Sequence, residues 1–262
     1  MPTLVTTILK MQRAKEHLDA LEIAIREFER PTNKPKAYRV SGYDDLECCE
    51  YVLKLEIDEP KLRLGITAGE FVSCLRSSLD WLAWQLATIS CSGDDRPSDK
   101  ISFPIWGEYS ARAESKIEEC TVGIPAEAVA IMQELQPYHY RDAYRDTHLW
   151  RLHALWNMEK HRHLVGNTMA IDLFIICPPG IPFRIETTDN GGEVRFPLSA
   201  KDKVGLDPAK CRASLRFGDE KEGVLLDHRG LVDIYEFVSD KVVPRFKRFF
   251  PQTPITGQPI QI

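Results

Sequence analysis

The chain has 262 residues, 43% of them hydrophobic and 28% charged, a balance that suits a globular protein with a real core and excludes a disordered or low-complexity one. Its net charge of −5 offers no general attraction to a polyanion or an acidic membrane, so nucleic-acid binding would need a local basic patch. Seven cysteines without C-x-x-C spacing read as small buried hydrophobes, not as a disulfide framework or a metal set. The opening Met1-Pro2-Thr3-Leu4-Val5 has no basic region leading into an apolar run, and no apolar stretch approaches the ~20 residues of a membrane span. A cytoplasmic protein with no membrane partner is the expectation.

In chain order, Met11, Ala14, Leu18, Leu21, Ile25 and Phe28 alternate steps of three and four, which predicts an amphipathic helix running to Pro31. After a Thr32 to Pro35 loop, Tyr51, Leu53, Leu55 and Ile57 alternate with polar neighbours as a half-buried strand. Tyr38 to Tyr43 is its expected antiparallel partner, and Leu62 to Ile66 a third short strand. Cys48 and Cys49, if they lie in a strand, face opposite sides and cannot readily chelate one metal together.

Thr67-Ala68-Gly69-Glu70 has the form of a capping box and predicts a second helix through about residue 90. Phe71, Leu75, Ser78, Leu82, Leu86 and Ile89 form its main stripe, and further apolar residues leave little polar circumference, as in a central helix. Arg76 and Asp80, one turn apart, are its conspicuous charges. A turn-rich loop follows, and Ile101 to Ile105 reads as an extended piece laid across the core. Pro125 opens a short helix through Leu135, stopped by Pro137. Tyr138 to Asp146 is a polar, aromatic approach to a helix from Thr147, its cap, to Gly166.

From Met169 the composition turns to β-branched residues. Met169 to Ile176, Phe183 to Thr187, Glu193 to Leu198, Ala213 to Phe217 and Val224 to Leu226 are the expected strands, with Asn190-Gly191-Gly192 as a hairpin turn. A last amphipathic helix spans 230 to 249, bent near Pro244, before an extended tail from 251 to 262. The expected fold is α+β: a helical core of about five helices with an antiparallel sheet contributed mainly by the C-terminal half. One continuous unit is favoured, with residues 1–166 mainly helical around a short β-hairpin and 167–250 supplying the sheet and the last helix.

Two stretches carry a family likeness: Leu75-Arg76-Ser77-Ser78-Leu79-Asp80-Trp81-Leu82-Ala83-Trp84-Gln85-Leu86 and Leu149 to Arg162, together with Phe103-Pro104-Ile105 and Leu135-Gln136-Pro137-Tyr138. Over roughly residues 60 to 250 the chain resembles a group of uncharacterised bacterial proteins whose first stretch often reads Leu-Arg-Ser-Ala-Leu-Asp-His. That is similar to the Arg-x4-His pattern of HEPN domains, helical modules of toxin, defence and RNA-processing systems. In active members, paired Arg-x4-6-His motifs at a dimer interface cleave RNA without metal, His and Arg handling protons and phosphate charge. The resemblance implies RNA and a second copy of the chain as partners, no cofactor and no metal. The helix from Leu149 to Arg162 carries the rest of the expected site, His161 shuttling protons or binding phosphate while Lys160 or Arg162 neutralises charge: Arg76, Asn157, His161 and Arg162 are the catalytic candidates, with Lys160, Arg151 and Asp80 toward substrate.

The chain departs from the pattern at Trp81, which stands where the histidine would be, and indole is no acid or base near neutral pH. A second Arg-x6-His spacing joins Arg141 to His148. Each candidate also has a structural reading: Asn157 to Arg162 can complete a helix C-terminus, Arg76 and Asp80 can satisfy each other, and Trp81, Trp84, Trp150 and Trp156 can be core packing in place of base-stacking surfaces. His153 and His161 share a strip, without the spacing of a metal motif. The function expected is RNA binding or weak metal-independent ribonuclease activity; the alternative is a non-catalytic interaction or ligand-binding protein in which this cluster is structural.

Overall fold

The computed structural model of the chain describes residues 2–29, 38–57, 62–91, 96–161, 167–172, 174–188, 191–206 and 212–251. Helices α1 (Val5–Glu29), α2 (Leu62–Thr88), α3 (Ala111–Cys120), α4 (Ala126–Glu134), α5 (His148–Lys160) and α6 (His228–Phe237) combine with antiparallel strands, seven of the nine described in the C-terminal half. The fold class is α+β, as the periodicities predict. The strands are β1 (Tyr38–Asp45), β2 (Glu50–Ile57), β3 (Asn167–Asp172), β4 (Ile175–Ile176), β5 (Arg184–Thr188), β6 (Gly191–Pro197), β7 (Gly205–Leu206), β8 (Arg212–Asp219) and β9 (Val224–Asp227). Among the described residues, no helix is long and apolar enough to cross a membrane.

Two compact units are interleaved along the chain: 1–20, 66–165 and 218–262 form the first, 21–65 and 166–217 the second. In the second, strands run in the order β1-β2-β6-β5. Val52 faces Arg195 and Leu53 faces Val194 across β2 and β6, and Leu53, Val194 and Phe196 centre a small core with Tyr51, Ile175 and Ile181 against it. The Gly191 turn pairs Thr188 with Gly191; Asn190 itself lies outside the described residues. Gly191 has φ +146 and no room for a Cβ, which would fall 2.0 Å from the Leu55 carbonyl oxygen, so glycine is required there. Strand β3 pairs with β8 from Asn167↔Phe217 to Asp172↔Arg212.

Asp45, Cys48 and Glu50 bring a thiol and two carboxylates within 4.8 Å of one another near the β1–β2 turn. Arg195 already serves those carboxylates, Nη1 reaching Asp45 at 3.0 Å and Glu50 at 3.3 Å while Nη2 donates to Glu193 at 2.6 Å. The local cation is a guanidinium. Cys48 and Cys49 sit in the turn, exposed, and the other described cysteines are half-buried, so the expectation that most are buried is not met. Cys91 and Cys120 instead lie against helix carbonyls three or four residues back, at 3.6 and 3.4 Å.

In the first unit α2 is central. Phe71, Val72, Leu75, Leu79, Leu82, Ala83 and Leu86 are all fully buried. The strand expected at Leu62 to Ile66 is instead the first turn and a half of α2. Leu64 continues the stripe through Ala68 and Phe71 at helical spacing, and a five-residue alternation cannot outweigh that longer pattern. Thr67 to Glu70 therefore lies inside the helix, and Glu70 pairs with His17 of α1 at 3.3 Å.

Helix α3 has no counterpart in the periodicity reading. Ser110 caps it by accepting the Ala113 amide, and only Ala113 and Ile117 are buried, a face too narrow to stand out. Tyr138 to Asp146 winds into 3-10 turns interrupted at Arg141, whose φ of 48 and ψ of −124 fall outside helical space. The last helix changes pitch, from α through a π turn at Val238–Val242 to a 3-10 end at Val243–Phe249. Pro244, lacking an amide, sits at that change as expected, and Phe246 packs edge-on to Phe103 at 6.3 Å.

Thr147 is the α5 cap, accepting the Trp150 amide while its hydroxyl donates to the Tyr144 carbonyl at 2.6 Å. Thr147→Ala is expected to lower stability by about 1 kcal/mol, and Thr147→Ser to restore most of it, in urea titrations followed by tryptophan fluorescence. Gly166, Arg162 and residues 252–262 lie outside the described residues.

Candidate functional site

The extended segment Ile101 to Gly107 belongs to no strand, yet buries Ile101, Phe103 and Ile105. Buried backbone polar groups need partners, and side chains supply them. Arg76 Nη2 donates to the Phe103 carbonyl at 2.8 Å, and Asp80 Oδ1 accepts the Phe103 amide at 3.0 Å. The two side chains, themselves paired at 3.0 Å, grip both sides of one residue as a neighbouring strand would. Gln136, fully buried, repeats the device: its Nε2 donates to Pro104 and Met132 carbonyls at 2.8 and 2.9 Å, and its Oε1 accepts the Trp106 amide at 2.9 Å.

Beside this segment opens a cleft of 960 Å³, inside the range of small-molecule sites. Its walls come from α2, the extended segment, α3 and α5. Helix α5 presents Trp150, His153 and Trp156, each three residues on, with ring centroids 5.9 and 6.0 Å apart, and Tyr144 meets Trp150 edge-on at 4.9 Å. Gly107 closes against these rings, since a Cβ there would lie 2.4 Å from Tyr144 Cε2 and 3.0 Å from Trp150 Cζ3. On the α3 side, Lys100 and Lys116 both donate to Glu119, and these hydrogen bonds hold its carboxyl down at about 2.

Arg76 is only 4% exposed. Burial lowers its pKa and raises that of Asp80, each opposed by the charge of the other. A guanidinium stays protonated under such conditions, so a charge is held in the wall. Its Nη2 is committed, but Nε and Nη1 are buried with no hydrogen-bond partner among the described residues. Trp156 offers only its ring face, 5.2 Å from the guanidinium carbon. Trp150 Nε1 and His153 Nδ1 are likewise buried and unpartnered among the described residues. Burial, reinforced by the charges of Arg76 and Lys160, holds His153 neutral down to about pH 4.

No protein-family model, curated protein or solved structure matches this chain. The site therefore rests on its own geometry.

The candidates named from sequence are distributed unevenly around it. Arg76 and Asp80 line the cleft. Lys160 is exposed, its Nζ 4.7 Å from the centre of the Trp156 ring that lines it. Arg151 turns away to Asp146 at 3.0 Å. Asn157 is half-buried and His161 exposed, and neither lines the cleft. They meet through the backbone, the His161 amide closing the helix on the Asn157 carbonyl at 3.1 Å. Arg162 lies outside the described residues. Trp81, 37% exposed on α2, is not a cleft residue. Of the second Arg-x6-His spacing, Arg141 is exposed while the His148 ring packs on Phe237 at 5.0 Å.

The sequence reading put the polar strip of α5 through His153, Asn157 and His161; the cleft strip runs through Trp150, His153 and Trp156. The available signal was the Trp-x-x-His-x-x-Trp spacing itself, an aromatic row too polar at its centre for a core stripe. Gln136, Lys100, Lys116 and Glu119 had no such signal.

Proposed function

We propose that the chain is a ligand-binding protein on a HEPN-like helical scaffold, with the cleft beside α5 as its binding site and no hydrolytic chemistry of its own. The observation that carries this reading is the cleft itself, 960 Å³ in volume and walled by Trp106, Tyr144, Trp150 and Trp156 beside the buried charge of Arg76.

A cleft ligand at about 100 times its dissociation constant adds about 2.7 kcal/mol to folding stability, which in a chain of this size raises Tm by roughly 5–10 °C. Thermal denaturation against a panel of small aromatic acids, amides and nucleotides tests this. A flat response across the panel, with Trp150 and Trp156 fluorescence unperturbed, would sink the proposal.

The ribonuclease reading has one observation in its favour: His153 and Arg76 share the cleft. His153 is, however, the one imidazole lining the cleft among the described residues, and it stands outside the Arg-x4-His pattern, whose histidine position is occupied by Trp81. RNA cleavage in EDTA, abolished by His153→Gln with stability retained, would support that reading over ours, and with it the paired arrangement of a second copy.

A further inference from the structure

We infer that strand β5 is a docking edge for a second copy of the chain: two β5 strands pair antiparallel about a two-fold axis at Ile185, joining two four-stranded sheets edge to edge. This surface lies in the second unit and is independent of the cleft.

Strand β5 ends the β1-β2-β6-β5 order, so among the described residues its outer edge has no strand neighbour. Residues 182 to 186 are exposed one after the other. Side chains of a strand alternate between its faces, so this exposure opens both faces at the edge. The backbone groups of such an edge are a template for another strand. Neither proline nor lysine, two common means of blunting an edge, interrupts residues 183 to 188. On one face Leu53, Val194 and Ile185 stand directly opposite one another across β2, β6 and β5. Leu53 and Val194 are buried in the small core while Ile185 is 60% exposed. The apolar face thus runs out to the edge, and Phe183, its ring 5.9 Å from that of Phe196, extends it.

The occupant follows from charge. On the other face Arg184 stands directly opposite Arg195, and Glu186 directly opposite Glu193. Like charges so placed are unfavourable. The side chains answer diagonally, Arg184 meeting Glu186 at 3.2 Å and Glu186 meeting Arg195 at 3.4 Å, yet Arg184 and Glu186 stay about half exposed and can each take a further partner. Because these two residues flank the axis, a second β5 sets its Glu186 against Arg184 and its Arg184 against Glu186. Each like-charged row then ends in the opposite charge: Arg195 and Arg184 against the partner's Glu186, Glu193 and Glu186 against the partner's Arg184. On the apolar face Ile185 meets the partner's Ile185. Moving the axis to Arg184 or to Glu186 would set arginine against arginine or glutamate against glutamate, so charge fixes the register. The opposite edge, β1, lacks this fit. Gly42 at its middle adds no side chain, and a pairing about it would set Arg39 against Asp45, a carboxylate that Arg195 already holds at 3.0 Å.

The full chain is followed by sedimentation velocity from about 1 µM to about 500 µM, the range in which a contact smaller than a standard interface associates. The parent is expected to form a dimer within it. Arg184→Glu and Glu186→Arg each set like charges together on both sides of the axis and are expected to weaken that dimer about tenfold or more. Their thermal midpoints should stay close to the parent's, since exposed ion pairs contribute little to the fold. Mixed in equal amounts, the two variants oppose two acidic side chains to two basic ones and are expected to associate at least as well as the parent. A parent that stays monomeric throughout the range overturns the pairing. So does a dimer that survives both reversals, or a mixture that associates no better than its components. None of these outcomes bears on ligand binding in the cleft.

Discussion

Arg76→Leu is expected to destabilise the chain by about 3–5 kcal/mol, the range found when one partner of a buried ion pair is removed. The loss has two sources. Asp80 keeps a negative charge in a site whose burial already raises its pKa, with the compensating guanidinium gone. The Phe103 carbonyl loses its donor at 2.8 Å in a segment that has no strand neighbour to replace it. Arg76→Leu with Asp80→Leu removes both charges together. That double variant is expected to be more stable than Arg76→Leu alone, because replacing a whole buried pair by apolar residues is often nearly neutral. It should still fall below the parent, since the Phe103 amide and carbonyl are then both unsatisfied, at about 1–3 kcal/mol each. Urea midpoints at constant m-value give the order parent, double variant, single variant. A single variant within 1 kcal/mol of the parent would show that the pair does not hold the Phe103 segment.

This dependence on side chains explains what was legible in the sequence. Where burial repeats along one element, the pattern was readable: Met11 to Ile25 on α1 and the Gly191 hairpin follow from local sequence, whereas β2 buries Val52 as well as Leu53 and Leu55 and so does not alternate as expected. The first turns of α2 and the whole of α3 were misread or missed because five or ten residues carry too few buried positions to fix a period. Arg76 and Asp80 looked like an i, i+4 pair, and they are one. What local pattern could not disclose is that both reach a backbone 27 and 23 residues away, or that Gln136 does the same across 32 and 30 residues. A site made by long-range pairing leaves its trace only in residue type. His161 drew attention because it stands among other polar residues; His153 lies between two tryptophans and is the histidine that the fold turns into the cleft.

The titration of His153 makes that distinction measurable. Its folded pKa is depressed to about 4, chiefly by burial and then by the positive charges of Arg76 and Lys160, against about 6.5 in an unfolded chain. Above pH 6.5 the imidazole is neutral in both states and its contribution to stability is complete. As pH falls below 6.5 the unfolded chain takes up a proton that the folded one refuses, so stability declines down to about pH 4 and is then level with respect to this group. At 1.36 kcal/mol per unit the ceiling is about 3 kcal/mol, and partial exposure of the ring brings the observed value below it. His148, whose pKa burial also lowers, acts in the same direction. Asp80 acts in the opposite one, because burial raises its pKa and the folded state therefore holds a proton more tightly than the unfolded chain. The comparison of parent with His153→Gln between pH 5 and 6.5 separates these contributions: the variant is expected to lose a slope of roughly half to one proton across that range. Equal slopes in parent and His153→Gln would mean that the imidazole is solvated, and that the wall of the cleft around it is not closed as the packing of Trp150 and Trp156 on either side requires.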